Sequence, residues 1–176
     1  MPALEVVRTH LELRAAADLR RAAPPGEEVE VQPRPAMSAA EYRALYTLVG
    51  DRWFWRDRLV WTDAELDAYL ADPSVHISTL TVRGATAGYF ELQQSSAATV
   101  EIMYFGLAPA FIGRGLGGWL LTRAALDAFA LGASRIVLHT CTLDGPHALP
   151  NYLARGFTIV REERYRTDLP HTGPGT

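Results

Sequence analysis

A chain of 176 residues, 48% apolar and 21% charged, can close one hydrophobic core and hardly two. Its formal net charge of -3 offers no broad basic surface to nucleic acid, and the lone Cys141 excludes an internal disulfide and suits a reducing compartment. No CxxC, HExxH or other dense ligand spacing calls for a metal, no apolar run reaches membrane-spanning length, and the first residues lack the layout of a signal peptide, so the expectation is a cytoplasmic protein.

In chain order, Glu5–Leu13 alternates as a strand, Ala15–Ala23 reads as a short helix ended by Pro24-Pro25-Gly26, and Glu28–Gln32 alternates again. Ser38 with Glu41, and Thr62 with Glu65, form two capping boxes. The first helix buries Tyr42, Leu45, Tyr46 and Val49 and ends at Gly50; the second buries Leu66, Tyr69 and Leu70 and stops at Asp72-Pro73. Three strands follow as a meander, Val75–Val82, Ala87–Gln93 and Thr99–Leu107, broken at Arg83-Gly84 and Ser95-Ser96. A helix over Gly115–Leu131 ends at Gly132, and Arg135–Thr142 is a strand. A shorter helix over Pro146–Arg155 ends at Gly156, and Phe157–Arg166 is the last strand, with a loose tail from Thr167. Thr99–Leu107 and Arg135–Thr142 flank a helix and should be parallel neighbours with a right-handed crossover, so the fold class is a mixed α/β sheet.

Between the meander and the long helix lies Ile112-Gly113-Arg114-Gly115-Leu116-Gly117-Gly118, four glycines in seven positions. A glycine turn opening a helix leaves several N–H groups aimed at one point, which is an anion site for the phosphates of a nucleotide-like cofactor. All 17 basic residues are arginine, so the lysine of a GxxxxGK[ST] loop is missing. Gly113, Gly115 and Gly118 satisfy G-x-G-x-x-G, but Pro109–Ile112 separates strand from glycine and no acid stands about 20 residues on, so a dinucleotide fold loses on context.

Phe105-Gly106-Leu107-Ala108-Pro109, followed by Gly113-Arg114-Gly115-Leu116-Gly117 and Leu120-Leu121, resembles the acyl-CoA signature of the GNAT N-acetyltransferase superfamily. His147-Ala148-x-x-x-Tyr152-x-x-x-Gly156-Phe157 is similar to a late block of the same superfamily. The resemblance covers about Val75 to Arg166. It implies a mostly antiparallel sheet with one splayed parallel pair and flanking helices, in a single domain over 1–166. Residues 1–34 would be N-terminal strands and linker, 75–166 the cofactor-binding core, and 167–176 a tail.

The implied co-substrate is acetyl-CoA or another short acyl-CoA, with no metal. The arm would pair with backbone near Phe105, Gly106 and Leu107, and the pyrophosphate would sit on Gly113, Arg114, Gly115, Leu116, Gly117 and Gly118. One position departs: Ile112 stands where the superfamily carries Gln or Arg, so backbone N–H groups and Arg114 must do the holding.

Transfer to an amine needs a base, an oxyanion donor and a proton for the leaving thiolate. Glu101 resembles the general-base glutamate of the histone-acetylating branch, with Glu91 as competitor. Tyr152 stands where the superfamily places the proton-donating tyrosine, and the N–H of Phe105 or Leu107 is the oxyanion donor. His139 and Cys141 face one way from their strand and read as pocket lining. Tyr42, Trp53, Trp55, Glu91 and His139 are the residues expected to meet the acceptor, a small molecule with a primary amine. Monomer and homodimer are both compatible with the sequence. A non-catalytic acyl-CoA-binding or regulatory module of the same fold is the alternative.

Overall fold

The computed structural model describes residues 3–168; the rest of the expected tail, 169–176, lies outside the described residues. One seven-stranded sheet carries the chain: β1 (Leu4–Leu13), β2 (Val29–Pro33), β3 (Val75–Val82), β4 (Ala85–Gln94), β5 (Thr99–Leu107), β6 (Arg135–Cys141) and β7 (Thr158–Thr167). The strands lie in the order β2-β3-β4-β5-β6-β1-β7. Only β5 and β6 run parallel; the other neighbours are antiparallel. Helices α1 (Ala39–Gly50) and α2 (Asp63–Leu70) cover one face, and α3 (Leu116–Ala130) and α4 (Ala148–Ala154) the other.

Both capping boxes form as the sequence dictates. The Ser38 and Thr62 hydroxyls accept from the N–H groups of Glu41 and Glu65, and both glutamates reach back to the cap. That fixes where α1 and α2 begin, so the apolar residues of α1 meet the sheet. Tyr42, Tyr46, Val49 and Leu66 close a small core over Ile77 and Tyr89. The larger core joins Leu120, Leu121 and Ala125 of α3 to Leu80, Phe90, Ile102 and Ile136, with Tyr152 and Phe157 at its margin.

One feature differs from the sequence reading, and one is left open by it. The Ala15–Ala23 helix reduces to one 3-10 turn at Ala16–Asp18. Alanine favours helix, but nothing caps this run and it has no apolar stripe to bury. The segment is instead pulled straight by tertiary bonds, Arg20 N–H to the Arg155 carbonyl at 2.9 Å and Ala22 N–H to Thr122 Oγ1 at 3.0 Å. The place of β1, which the strand pattern leaves open, is between β6 and β7, so its neighbours come from the far end of the chain.

Gly156 ties this strap to the core. Its φ is +101°, and a Cβ there would collide with the Asp18 carbonyl oxygen. Gly156→Ala should cost roughly 2–4 kcal/mol, read as a lowered urea midpoint at unchanged m.

Candidate active site

The site begins with a local irregularity in β5. Glu91 of β4 faces Tyr104, but the next residue, Leu92, faces Ile102, which leaves Met103 as a bulge. A bulge bends its strand. Pairing of β5 with β6 runs from Thr99–Arg135 to Glu101–Val137 and goes no further, so the β6-facing backbone edge of residues 102–107 is left without a strand. This is the splayed pair that the sequence led us to expect, and the bulge lies just past the last parallel pair.

The glycine loop lies at the end of that open edge. Pro109–Phe111 makes a 3-10 turn, Gly113 and Gly115 take φ of +82° and +74°, and Gly115 is the N-cap of α3. No side chain caps the helix, so the N–H groups of its first turn stay available. The remaining glycines make room for neighbours. Gly117 faces the Asn151 amide, whose nitrogen lies 3.6 Å from a Cβ built there, and the Arg155 guanidinium fills the Cβ space of Gly118. The Arg155 Nε is enclosed and has no partner among the described residues. Arg155 was not singled out from sequence, because only the docking of α4 brings it to the loop.

Arg114 is engaged elsewhere. Its guanidinium forms two hydrogen bonds to Glu27 of the strap and lies over the Phe111 ring. Releasing it should help an anion bind. Glu27→Gln should lower the KM for acetyl-CoA by roughly two- to fivefold at low salt, the scale of one exposed ion pair, and the gain should vanish at high salt.

Side chains on β5 divide between the two faces. Phe105 points toward α4, its ring centroid 6.1 Å from that of Tyr152. Tyr152 is almost fully buried, and burial together with the nearby Asp144 pushes its phenol well above the usual range, so it stays protonated. Asp144 is itself fixed, accepting from the Cys141 N–H and the Thr140 hydroxyl.

Glu101 points to the α1/α2 side of the sheet and is 28% exposed. Its Oε1 lies 3.8 Å from His139 Nδ1, and the His139 ring lies 5.7 Å from that of His10 on β1. His10 continues outward to Glu163, 3.5 Å away. Glu101, His139, His10 and Arg161 help line a shallow cleft of about 240 Å³ over β1, β6 and β7. His10 could not be assigned from sequence, since nothing local says that β1 lies beside β6.

Glu91 has a different setting. It is 0% exposed, and its Oε2 accepts from Tyr69 Oη at 2.9 Å and from the Arg58 guanidinium at 3.3 Å. That guanidinium is stacked among aromatic rings, 4.1 Å from the Trp61 centroid and 4.3 Å from that of Tyr69. Of the early aromatics, Trp55 and Trp61 pack against the core that holds Tyr42 and Tyr46. Phe54, at φ +60°, turns the chain between Trp53 and Trp55. Trp55 goes inward against Tyr46 and Tyr104, with Tyr42 stacked behind Tyr46. Trp53 reaches across to Gly145 on the loop between β6 and α4, where a Cβ would lie 2.9 Å from its ring.

Among the described residues, no helix is long and apolar enough to cross a membrane. The fold is similar to that of a GCN5-related N-acetyltransferase from Kribbella flavida (19% identity, 87% of this chain and 54% of that one, TM-score 0.63). It is also similar to a GCN5-related N-acetyltransferase from Sphaerobacter thermophilus (16% identity, 94% and 52%, TM-score 0.65). The chain spans about half the length of these two proteins. A third similar structure is an aminoglycoside acetyltransferase from an uncultured soil metagenomic sample, solved in complex with trehalose (13% identity, 72% and 86%, TM-score 0.60). No curated protein matches the sequence. The sequence model of the acetyltransferase (GNAT) family matches residues 42–157, a span that takes in the bulged strand, the glycine loop and Tyr152. With that match over most of its length and the splayed pair in place, the chain belongs to the GNAT acetyltransferase family.

Proposed function

We propose that this protein is an acetyl-CoA-dependent N-acetyltransferase that acetylates a primary amine of a small molecule by direct transfer within a ternary complex. The observation that carries this reading is the open edge of residues 102–107 between an uncapped helix N-terminus and Glu101. The donor set fits the co-substrate: free backbone groups for the amides of an extended arm, and helix N–H groups for a pyrophosphate. Acetyl-CoA supplies an activated thioester. Glu101 takes the proton of the acceptor ammonium, and His139 and His10 lead it toward solvent. The N–H of Phe105 or Leu107 is offered to the acyl oxygen. Tyr152, held protonated, gives its proton to the departing thiolate.

Glu91 is not the base in this scheme, because Arg58 and Tyr69 already hold its carboxylate away from solvent. Cys141 is not a nucleophile either, since burial and Asp144 push its thiol up. Cys141→Ser should keep full activity, with intersecting initial-velocity lines; parallel lines, or a dead variant, would point to an acyl-enzyme.

A second reading, a binding module without turnover, draws support from Ile112 and from the engagement of Arg114 with Glu27. Thiol release from acetyl-CoA over a panel of primary amines separates the two. Amine-dependent release that disappears in Tyr152→Phe supports the enzyme; saturable acetyl-CoA binding without release across the panel supports the module.

A further inference from the structure

At the end of the sheet away from the glycine loop, a cavity of about 490 Å³ opens beside the C-terminal half of α3. That volume is within the range of small-molecule sites, roughly 300–1,000 Å³. It forms because α3 packs on β4, β5 and β6, leaving the same face of β2 and β3 bare at this end. Val31, Pro33, Phe90 and Leu92 make an apolar wall, and Pro35 and Pro73 stiffen the rim.

Two charged side chains on the helical wall are incompletely used. Arg123 and Asp127 are one turn apart on α3, yet Arg123 Nη2 and Asp127 Oδ1 approach only to 4.0 Å, beyond hydrogen-bond range. The Arg123 Nε is enclosed and has no partner among the described residues. Burial of part of its surface pushes the Asp127 carboxyl up, while both side chains keep an exposed face toward the cavity mouth. Of the other charged or imidazole side chains around the cavity, three have partners. Arg34 holds Glu41 at 2.9 Å, Asp72 accepts from the Ser74 N–H at 2.8 Å, and His76 Nε2 faces Gln94 Oε1 at 3.4 Å.

We infer that this cavity binds a free α-amino acid with an apolar side chain, its carboxylate on Arg123, its ammonium on Asp127 and its side chain against Val31, Pro33, Phe90 and Leu92. An anion alone would bring its charge against Asp127, and a cation alone would face Arg123; a zwitterion satisfies both. The carbonyl end of α3 adds to the attraction for the ammonium. A planar guanidinium suits a carboxylate, and a rigid apolar wall lowers the cost of ordering the rest. The site does not depend on the acetyl-transfer reading, although α3 carries the glycine loop at one end and this cavity at the other.

Isothermal titration calorimetry of the whole chain with L-phenylalanine tests the inference, with 3-phenylpropionate and 2-phenylethylamine as single-charge probes. L-Phenylalanine should saturate at one site, and each probe should bind at least about tenfold more weakly. Arg123→Gln and Asp127→Asn should each weaken binding about tenfold or more, and Ala130→Phe, which adds bulk at the exposed rim of the cavity and removes no charge, should block it. Glu101→Gln should leave it unchanged. Thermal melts verify that each variant is folded; if a charge variant is not, Ala130→Phe decides. The inference is overturned by the absence of saturable heat with L-phenylalanine, by equal binding of either probe, or by binding that survives Ala130→Phe. Loss of binding in Glu101→Gln overturns it too, by placing the amino acid at the acceptor site.

Discussion

Glu101→Gln should reduce kcat by roughly 10²–10³-fold while leaving the KM for acetyl-CoA nearly unchanged, as expected for loss of a general base. The carboxylate sits where the parallel pairing ends, partly open to solvent and 3.8 Å from His139. Its amide isostere keeps the shape, so the fold should not suffer. The diagnostic is the pH profile. Without the base, only acceptor that is already deprotonated in solution can react, so residual kcat/KM should climb about tenfold per pH unit until the amine itself has titrated. His139→Ala should cost less, because the proton can still leave through water. A Glu101→Gln enzyme with wild-type kcat and profile would remove Glu101 from the chemistry.

Arg58→Met should destabilise the protein by about 3–5 kcal/mol, the cost of leaving one member of a buried ion pair uncompensated. Against a total of about 5–15 kcal/mol this is a large fraction, and at this chain length it corresponds to a melting temperature lower by roughly 6–20 °C. Both partners are enclosed, and Arg58 also loses its packing between Trp61 and Tyr69. Converting both partners, Arg58→Met with Glu91→Leu, should recover most of the loss, since an apolar pair of similar volume needs no compensation. The deficit should also depend on pH. Burial raises the Glu91 pKa above its ordinary value, with Arg58 opposing it. Without Arg58 the folded pKa rises further. A raised folded pKa gives stability that is present below the unfolded value and lost as pH climbs through the folded one. The single variant should therefore be closest to wild type near pH 4.5 and fall behind as pH increases. A constant deficit across that range would show that packing, not charge, dominates at Arg58.

What the sequence disclosed was set by the range of the interactions. Capping boxes at Ser38–Glu41 and Thr62–Glu65, the turn at Arg83-Gly84 and the αL glycine at Gly132 are local, and each could be read directly. The glycine turn that opens α3 and the helix that carries Tyr152 were legible from short spacings. The bulge at Met103 was not, since it arises from pairing register with β4 and no residue type announces it. Nor was the capture of Glu91, because its partner lies 33 positions away on an irregular turn. The alanine run after Leu13 failed for the same reason in reverse: intrinsic propensity favoured a helix, and bonds to Arg155 and Thr122 overrode it.

The position of β1 also bears on how the molecule assembles. Val7 donates to Thr142 across 135 positions, and Arg164 reaches Glu5 across 159. Such pairings contribute nothing until a very long loop has closed, so they raise contact order and belong late in folding. Before then the slot between β6 and β7 is empty, with two unpaired strand edges facing each other across a gap. A second polypeptide's β1 fits that gap as well as the chain's own. At high concentration the refolding protein should therefore partition between monomer and strand-exchanged dimer, and slow dilution should favour the monomer.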